Sequence, residues 1–156
     1  MRDLVKETLE EHQQVVAKMS ALESVVASAG ALCAEALRQG NRIYLCGNGG
    51  SAADAQHIAA ELIGRFVNDR RSLPAVALTT DTSALTAIGN DYGYDHVFSR
   101  QVDGLCGPGD VLIAISTSGN SVNVLRAVDA AHAVGSAVIG LSGKLGGELD
   151  GKCDIS

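Results

Sequence analysis

A 156-residue chain that is 46% apolar, with a mean hydropathy of +0.15, is long enough to fold as one domain and bury roughly two thirds of its unfolded surface. Its 18 acidic and 12 basic residues leave a net charge of -6, which argues against a broad nucleic-acid surface, since that needs clustered Lys and Arg. No apolar run approaches the ~20 residues of a membrane span and no signal sequence opens the chain, so no membrane partner is expected. The 4 cysteines, Cys33, Cys46, Cys106 and Cys153, lack C-x-x-C spacing and read as structural thiols in a reducing cytoplasm.

Leu4, Val5, Leu9, Val15, Val16, Met19 and Leu22 recur at threes, fours and sevens among Lys, Glu and Gln, the period of an amphipathic helix. A second helix is expected over 22–38 with Gly40 as its C-terminal cap, making 1–40 a helical segment ahead of the sheet. These helices are suited either to pack on the domain or to pair with another subunit. Beyond Gly40 a unit repeats: a short apolar strand, a Gly/Ser/Thr/Asp turn and an alanine-rich helix. Strands are expected at 42–46, 75–79, 111–115 and 137–141, and helices at 52–67, 82–89 and 121–134. The strands lack polar alternation, as strands covered by helices on both faces do. The fold class is therefore α/β, a three-layer αβα sandwich with a parallel sheet, preceded by N-terminal helices, and the whole of 1–156 reads as a single domain. Ligands of such sheets collect beyond the carboxyl ends of the strands.

The turn after the first strand, Gly47-Asn48-Gly49-Gly50-Ser51, lets the backbone come close to a ligand and aims the N–H groups of the next helix at an anion, with the Ser51 hydroxyl as a further donor. A second loop, Ser116-Thr117-Ser118-Gly119-Asn120-Ser121, crowds four hydroxyls into another strand-to-helix turn. For one loop alone, Ser121 as an N-cap among ordinary turn formers is an equally good account. Two such loops after two strands favour a phosphate monoester. Gly47, Gly49 and Ala52 also satisfy G-x-G-x-x-A, but the nearest strand-end candidate for the acidic residue expected roughly 20 residues on, Asp81, lies later than that, so a dinucleotide is disfavoured.

His57 and Glu61, four residues apart on one helix, present both side chains on one face. Beside a bound sugar phosphate the carboxylate can remove a proton next to a carbonyl, and the pair can also furnish two ligands for zinc, which would polarise an enediolate's oxygens. On an arbitrary helix the same pair is only a surface hydrogen bond. Asn90 and Asp91 are candidates for sugar hydroxyls, or simply a turn after Ile88, and Arg65 reads as a solvated helix cation.

In order and spacing, Cys46-Gly47-Asn48-Gly49-Gly50-Ser51, Gln56-His57 with Glu61-Leu62, Gly89-Asn90-Asp91, Phe98-Ser99-Arg100, Gly109-Asp110-Val111-Leu112 and the run from Ile115 through Ser121 resemble the phosphoheptose isomerases of the sugar-isomerase (SIS) domain group. The resemblance implies a flavodoxin-like SIS fold and a cytoplasmic homotetramer with sites between subunits. The implied activity is aldose-ketose isomerisation of sedoheptulose 7-phosphate to glycero-manno-heptose 7-phosphate, the entry to ADP-heptose for the lipopolysaccharide core. By position, Ser116, Thr117, Ser118 and Ser121 would hold the phosphate, Asn48, Gly49, Gly50 and Ser51 would line the substrate, and Asn90 with Asp91 would meet the sugar. Glu61 would move a proton between C1 and C2, and His57 and Glu61 would supply two zinc ligands. The family also carries a C-terminal strand and helix whose Gln and His complete the zinc site; these have no counterpart here, and the expectation is that 1–156 is part of a longer isomerase. The rival within the group is a non-catalytic protein that binds the replication initiator or senses sugar phosphates. Relatives that bind the initiator lack the helix glutamate, so Glu61 favours the enzyme.

Overall fold

The computed structural model describes residues 2–156. Two helices, α1 (Arg2–Lys18) and α2 (Glu23–Arg38), lead into β1 (Ile43–Gly47), α3 (Gly50–Ile63), β2 (Ala75–Ala77), α4 (Thr82–Tyr92), α5 (Ser99–Leu105), β3 (Val111–Ser116), α6 (Val122–Ala133), β4 (Ala137–Ser142) and the single-turn α7 (Gly147–Asp150). The strands are parallel throughout and lie in the order β2-β1-β3-β4. From β1 the chain steps to one side to make β2 and returns on the other side to make β3. Neighbouring strands β1 and β3 therefore send their connections in opposite directions, and a crevice opens between their carboxyl ends.

Alternation along each strand sorts the core into two layers. Tyr44, Cys46, Leu112, Ala114 and Val138 meet Val97, Phe98, Val102, Val124, Ala127, Val128 and Ala131 on the face covered by α4, α5 and α6. Ile43, Leu45, Val111, Ile113, Ile115 and Ile139 meet Leu37, Ala55 and Ala59 on the face covered by α2 and α3. The expected sandwich is thus present, with strand ends displaced by two residues at most. Asp110, buried before β3, accepts hydrogen bonds from the N–H groups of Arg42 (2.8 Å) and Gly107 (2.9 Å), which assigns the Gly109-Asp110 motif a structural task.

Three local differences from the sequence reading have physical causes. Helix α3 ends at Ile63 instead of Val67, because Gly64 follows and the next residues leave the helix. Helix α4 runs on to Tyr92, absorbing the turn expected after Ile88. The additional α5 is only 7 residues long and buries Ser99 and Gln101, so it shows no apolar period; the Gln101 amide instead donates to the carbonyls of Leu78 (3.0 Å) and Val97 (2.7 Å).

The run Asp3–Arg38 contains an 18-residue window of mean hydropathy 1.4, more apolar in aggregate than its alternation with charged residues suggests. Its second half behaves as a core helix: Ala29, Leu32, Cys33, Ala36 and Leu37 pack on the sheet. The first half does not, and Leu4, Val5, Leu9, Val15, Val16 and Met19 are all more than half exposed.

Candidate active site

The turn from β1 into α3 is pressed against the neighbouring strand. A Cβ at Gly47 would lie 2.7 Å from the Ser51 Cβ and 3.0 Å from the Ile115 carbonyl oxygen, so no larger residue fits there. This contact brings the first turn of α3 alongside the loop that leaves β3. A cavity of about 430 Å³ lies at that junction, lined by Ser51, Asp54, His57 and Ile58 from α3, Ile115 in β3 and Thr117 just after it, and Leu141, Ser142 and Gly143 at the end of β4. Its lining has hydroxyls, the His57 imidazole and the Asp54 carboxylate but no Lys or Arg, so the donors it offers an anion are hydroxyls, N–H groups and helix ends.

Within the second loop, Ser116 is buried and its hydroxyl lies 3.0 Å from that of Ser121. Ser121 occupies the N-cap position of α6 yet makes no side-chain cap bond, its hydroxyl being directed back to Ser116. The Ser118 Oγ accepts from the Asn120 N–H at 3.2 Å, which leaves its proton free to donate outward. The loop is braced from behind: the N–H groups of Gly143, Leu149 and Glu148 donate to Thr117 O (3.2 Å), Gly119 O (3.0 Å) and Asn120 Oδ1 (2.9 Å).

Asn48 binds in a way that sequence reasoning missed. Its side-chain amide exchanges two hydrogen bonds with that of Asn123, at 2.8 and 2.9 Å, and its Oδ1 also accepts from the Tyr94 hydroxyl at 3.2 Å. Asn123 is buried in the first turn of α6, so this amide pair clamps the glycine turn to the helix that follows the hydroxyl loop. The side chain of Asn48 is therefore mostly spent on alignment. Gly49, which caps α3 at φ 56°, and Gly50 follow it in the turn. Asp81, the weak dinucleotide candidate, caps α4 by accepting from the Ala84 N–H at 2.9 Å, a complete structural account of that residue.

His57 and Glu61 stand together as their spacing predicts, with Nε2 3.4 Å from Oε1 and side chains 74% and 36% exposed. One nitrogen and one oxygen donor side by side suit a metal such as zinc, but four donors are the usual complement. Among the described residues no group of three or more His, Cys, Asp or Glu is placed to hold a metal ion. Asn90 and Asp91 sit in the last turn of α4, joined to each other by a 2.9 Å hydrogen bond and exposed, and they do not line the cavity. Burial pushes the thiols of Cys46 and Cys106 up to about 12 and that of Cys153 to about 11, so these three stay protonated and offer no nucleophile at neutral pH.

A parallel sheet of flavodoxin-like order, with a glycine turn and a hydroxyl loop after the neighbouring strands β1 and β3, defines a small-molecule-binding class of α/β domain. A sequence profile of the SIS domain matches residues 8–143, and the chain belongs to that family. It is 56% identical to a phosphoheptose isomerase of Aliarcobacter butzleri over 154 residues, covering 98% of this chain and 81% of that protein. It is 57% identical to one from a Nitratiruptor species over 157 residues, covering 100% of this chain and 84% of the relative. Among solved structures, a phosphoheptose isomerase from Francisella tularensis superposes with a TM-score of 0.93 at 37% identity, over 97% of this chain and 80% of that one. A phosphoheptose isomerase from Neisseria gonorrhoeae superposes with a TM-score of 0.84 at 50% identity, over 96% of this chain and 81% of that chain.

Proposed function

We propose that this chain is an aldose-ketose isomerase that interconverts sedoheptulose 7-phosphate and D-glycero-D-manno-heptose 7-phosphate, supplying ADP-heptose for the lipopolysaccharide core. The observation that carries the reading is His57 in the lining of a cavity shared with Ser51, Thr117 and Ser142, with Glu61 3.4 Å from it on the same face of α3. Ser116, Thr117, Ser118 and Ser121 hold the phosphate, and Ser51 with the Gly49-Gly50 turn orients the sugar chain. Glu61 then takes the proton from C1 of the ketose. The C1–H electron pair becomes the C1=C2 bond of a cis-enediolate while the C2 carbonyl pair moves onto oxygen; return of the proton to C2 and transfer of the hydroxyl proton from O1 to O2 complete the aldose.

The same reading assigns zinc to His57 and Glu61, with donors beyond this pair completing the shell. Bound there, the metal would stabilise negative charge on the substrate's oxygens. It further places the protein in the cytoplasm as a homotetramer, in which Asn90 and Asp91 reach the sugar from a neighbouring copy. The non-catalytic alternative has no use for a glutamate held 3.4 Å from a histidine of the cavity lining.

The test is NMR-monitored exchange of the C1 protons of sedoheptulose 7-phosphate in D2O. The wild-type chain is expected to exchange and isomerise, and Glu61→Gln to bind the sugar phosphate while losing at least 100-fold in exchange, the scale of a general base. Saturable binding without exchange in the wild type would make this a binding protein.

A further inference from the structure

Helix α3 carries the proposed base in its last turn, and that turn is closed in an unusual way. Its C-cap, Gly64, has φ -78° and does not take the left-handed conformation that commonly ends a helix. The terminal carbonyls go instead to a side chain from further along the chain. Arg70 Nη2 donates to the carbonyl oxygen of Glu61 at 2.7 Å, and Nη1 donates to those of Leu62 at 2.8 Å, Arg71 at 3.0 Å and Gly64 at 3.4 Å. Residues 63–69 are all exposed, whereas Arg70 is half-buried, turned back against the helix end. A planar fork with five donors in fixed directions serves adjacent carbonyls at once, and its charge sits at the negative end of the helix dipole.

We infer that Arg70 is a positioning residue for Glu61: by gripping the Glu61 carbonyl itself, the guanidinium holds the backbone from which the carboxylate reaches the substrate. The inference rests on Glu61 being the base. Arg70 spends its donors on main-chain oxygens, so it does not serve as a phosphate ligand. The consequence is kinetic. Loosening the last turn displaces the carboxylate relative to a substrate still held by the loop after β3, and a misplacement of about 1 Å costs on the order of 100-fold in rate. Binding, governed by the other wall of the cavity, is little changed.

The experiment compares wild type, Glu61→Gln, Arg70→Ala and Arg70→Lys for kcat and KM, with and without added guanidinium chloride at non-denaturing concentration. Arg70→Ala is expected to lose about 10- to 100-fold in kcat with KM within about twofold. Free guanidinium is expected to restore part of the kcat of Arg70→Ala and none of that of Glu61→Gln. Arg70→Lys is expected to remain impaired, because an ammonium is a point charge without the fork. A wild-type kcat in Arg70→Ala, or a loss that guanidinium leaves untouched, overturns the assignment of Arg70 alone. Absence of turnover in the wild type overturns the isomerase reading and this inference with it.

Discussion

Ser118 and Ser121 reach the same task by different local bonding. Ser121 gives up helix capping to face Ser116, and Ser118 accepts from the Asn120 N–H while keeping its proton for a ligand. Each alanine substitution therefore deletes one donor to a charged group, typically worth ~1.5 to 3 kcal/mol, or about 10- to 100-fold in affinity. Titration calorimetry with sedoheptulose 7-phosphate on Ser118→Ala and Ser121→Ala checks this. Affinity unchanged in both would remove the loop from the site. Asn48 shows where residue-level reading from sequence reaches its limit. Its place beside the glycines is legible as part of a ligand turn, but its partner Asn123 lies 75 positions away. No local pattern announces a reciprocal amide pair that depends on β1 and β3 being neighbours.

Elements were legible where burial imposes a pattern. The central strands β1 and β3 are aliphatic runs because both faces are covered, and His57 and Glu61 share a face because helical spacing dictates it. The short α5 was hidden because two of its three buried residues, Ser99 and Gln101, are polar, and the end of α3 because Arg70, which closes it, acts from outside the helix. The bracing of the hydroxyl loop by the segment after β4 was equally invisible, and it is the tightest contact in the site. Gly119 has φ 68°, and a Cβ there would fall 1.8 Å from the Gly146 carbonyl oxygen. Gly119→Ala must strain the backbone and push two loops apart, at a cost of ~2 to 4 kcal/mol. Urea denaturation should report that loss together with weakened sugar-phosphate binding. Gly104→Ala, in α5 with open space around it, is the control and should change stability by about 1 kcal/mol or less. Equal effects in the two variants would show that the brace is not what holds the loop.

At the scale of the whole molecule, α1 is the element the fold does not use. Val5, Leu9, His12 and Val16 of α1, with Met19 just after its end, follow one another at alternating spacings of four and three, the repeat of a helix that packs against another helix. Leu9, Val16 and Met19 are nevertheless 59%, 51% and 54% exposed, so this seam is not filled from within the chain. A second copy presents the same seam, and covering what remains exposed of it would stabilise an assembly by roughly 1 to 1.5 kcal/mol for each large aliphatic side chain. The proposed homotetramer uses this surface, and it accounts for Asn90 and Asp91 lying away from the cavity of their own chain. Leu9→Glu combined with Val16→Glu places charge in the seam without touching the sandwich. Sedimentation velocity should then show a smaller species with an unchanged circular dichroism spectrum, and activity should fall with the assembly because the site loses what a neighbour lends it. A wild-type monomer would remove the tetramer. A dissociated but fully active variant would keep the tetramer and place Asn90 and Asp91 outside the chemistry, because the cavity between α3 and the hydroxyl loop would then suffice on its own.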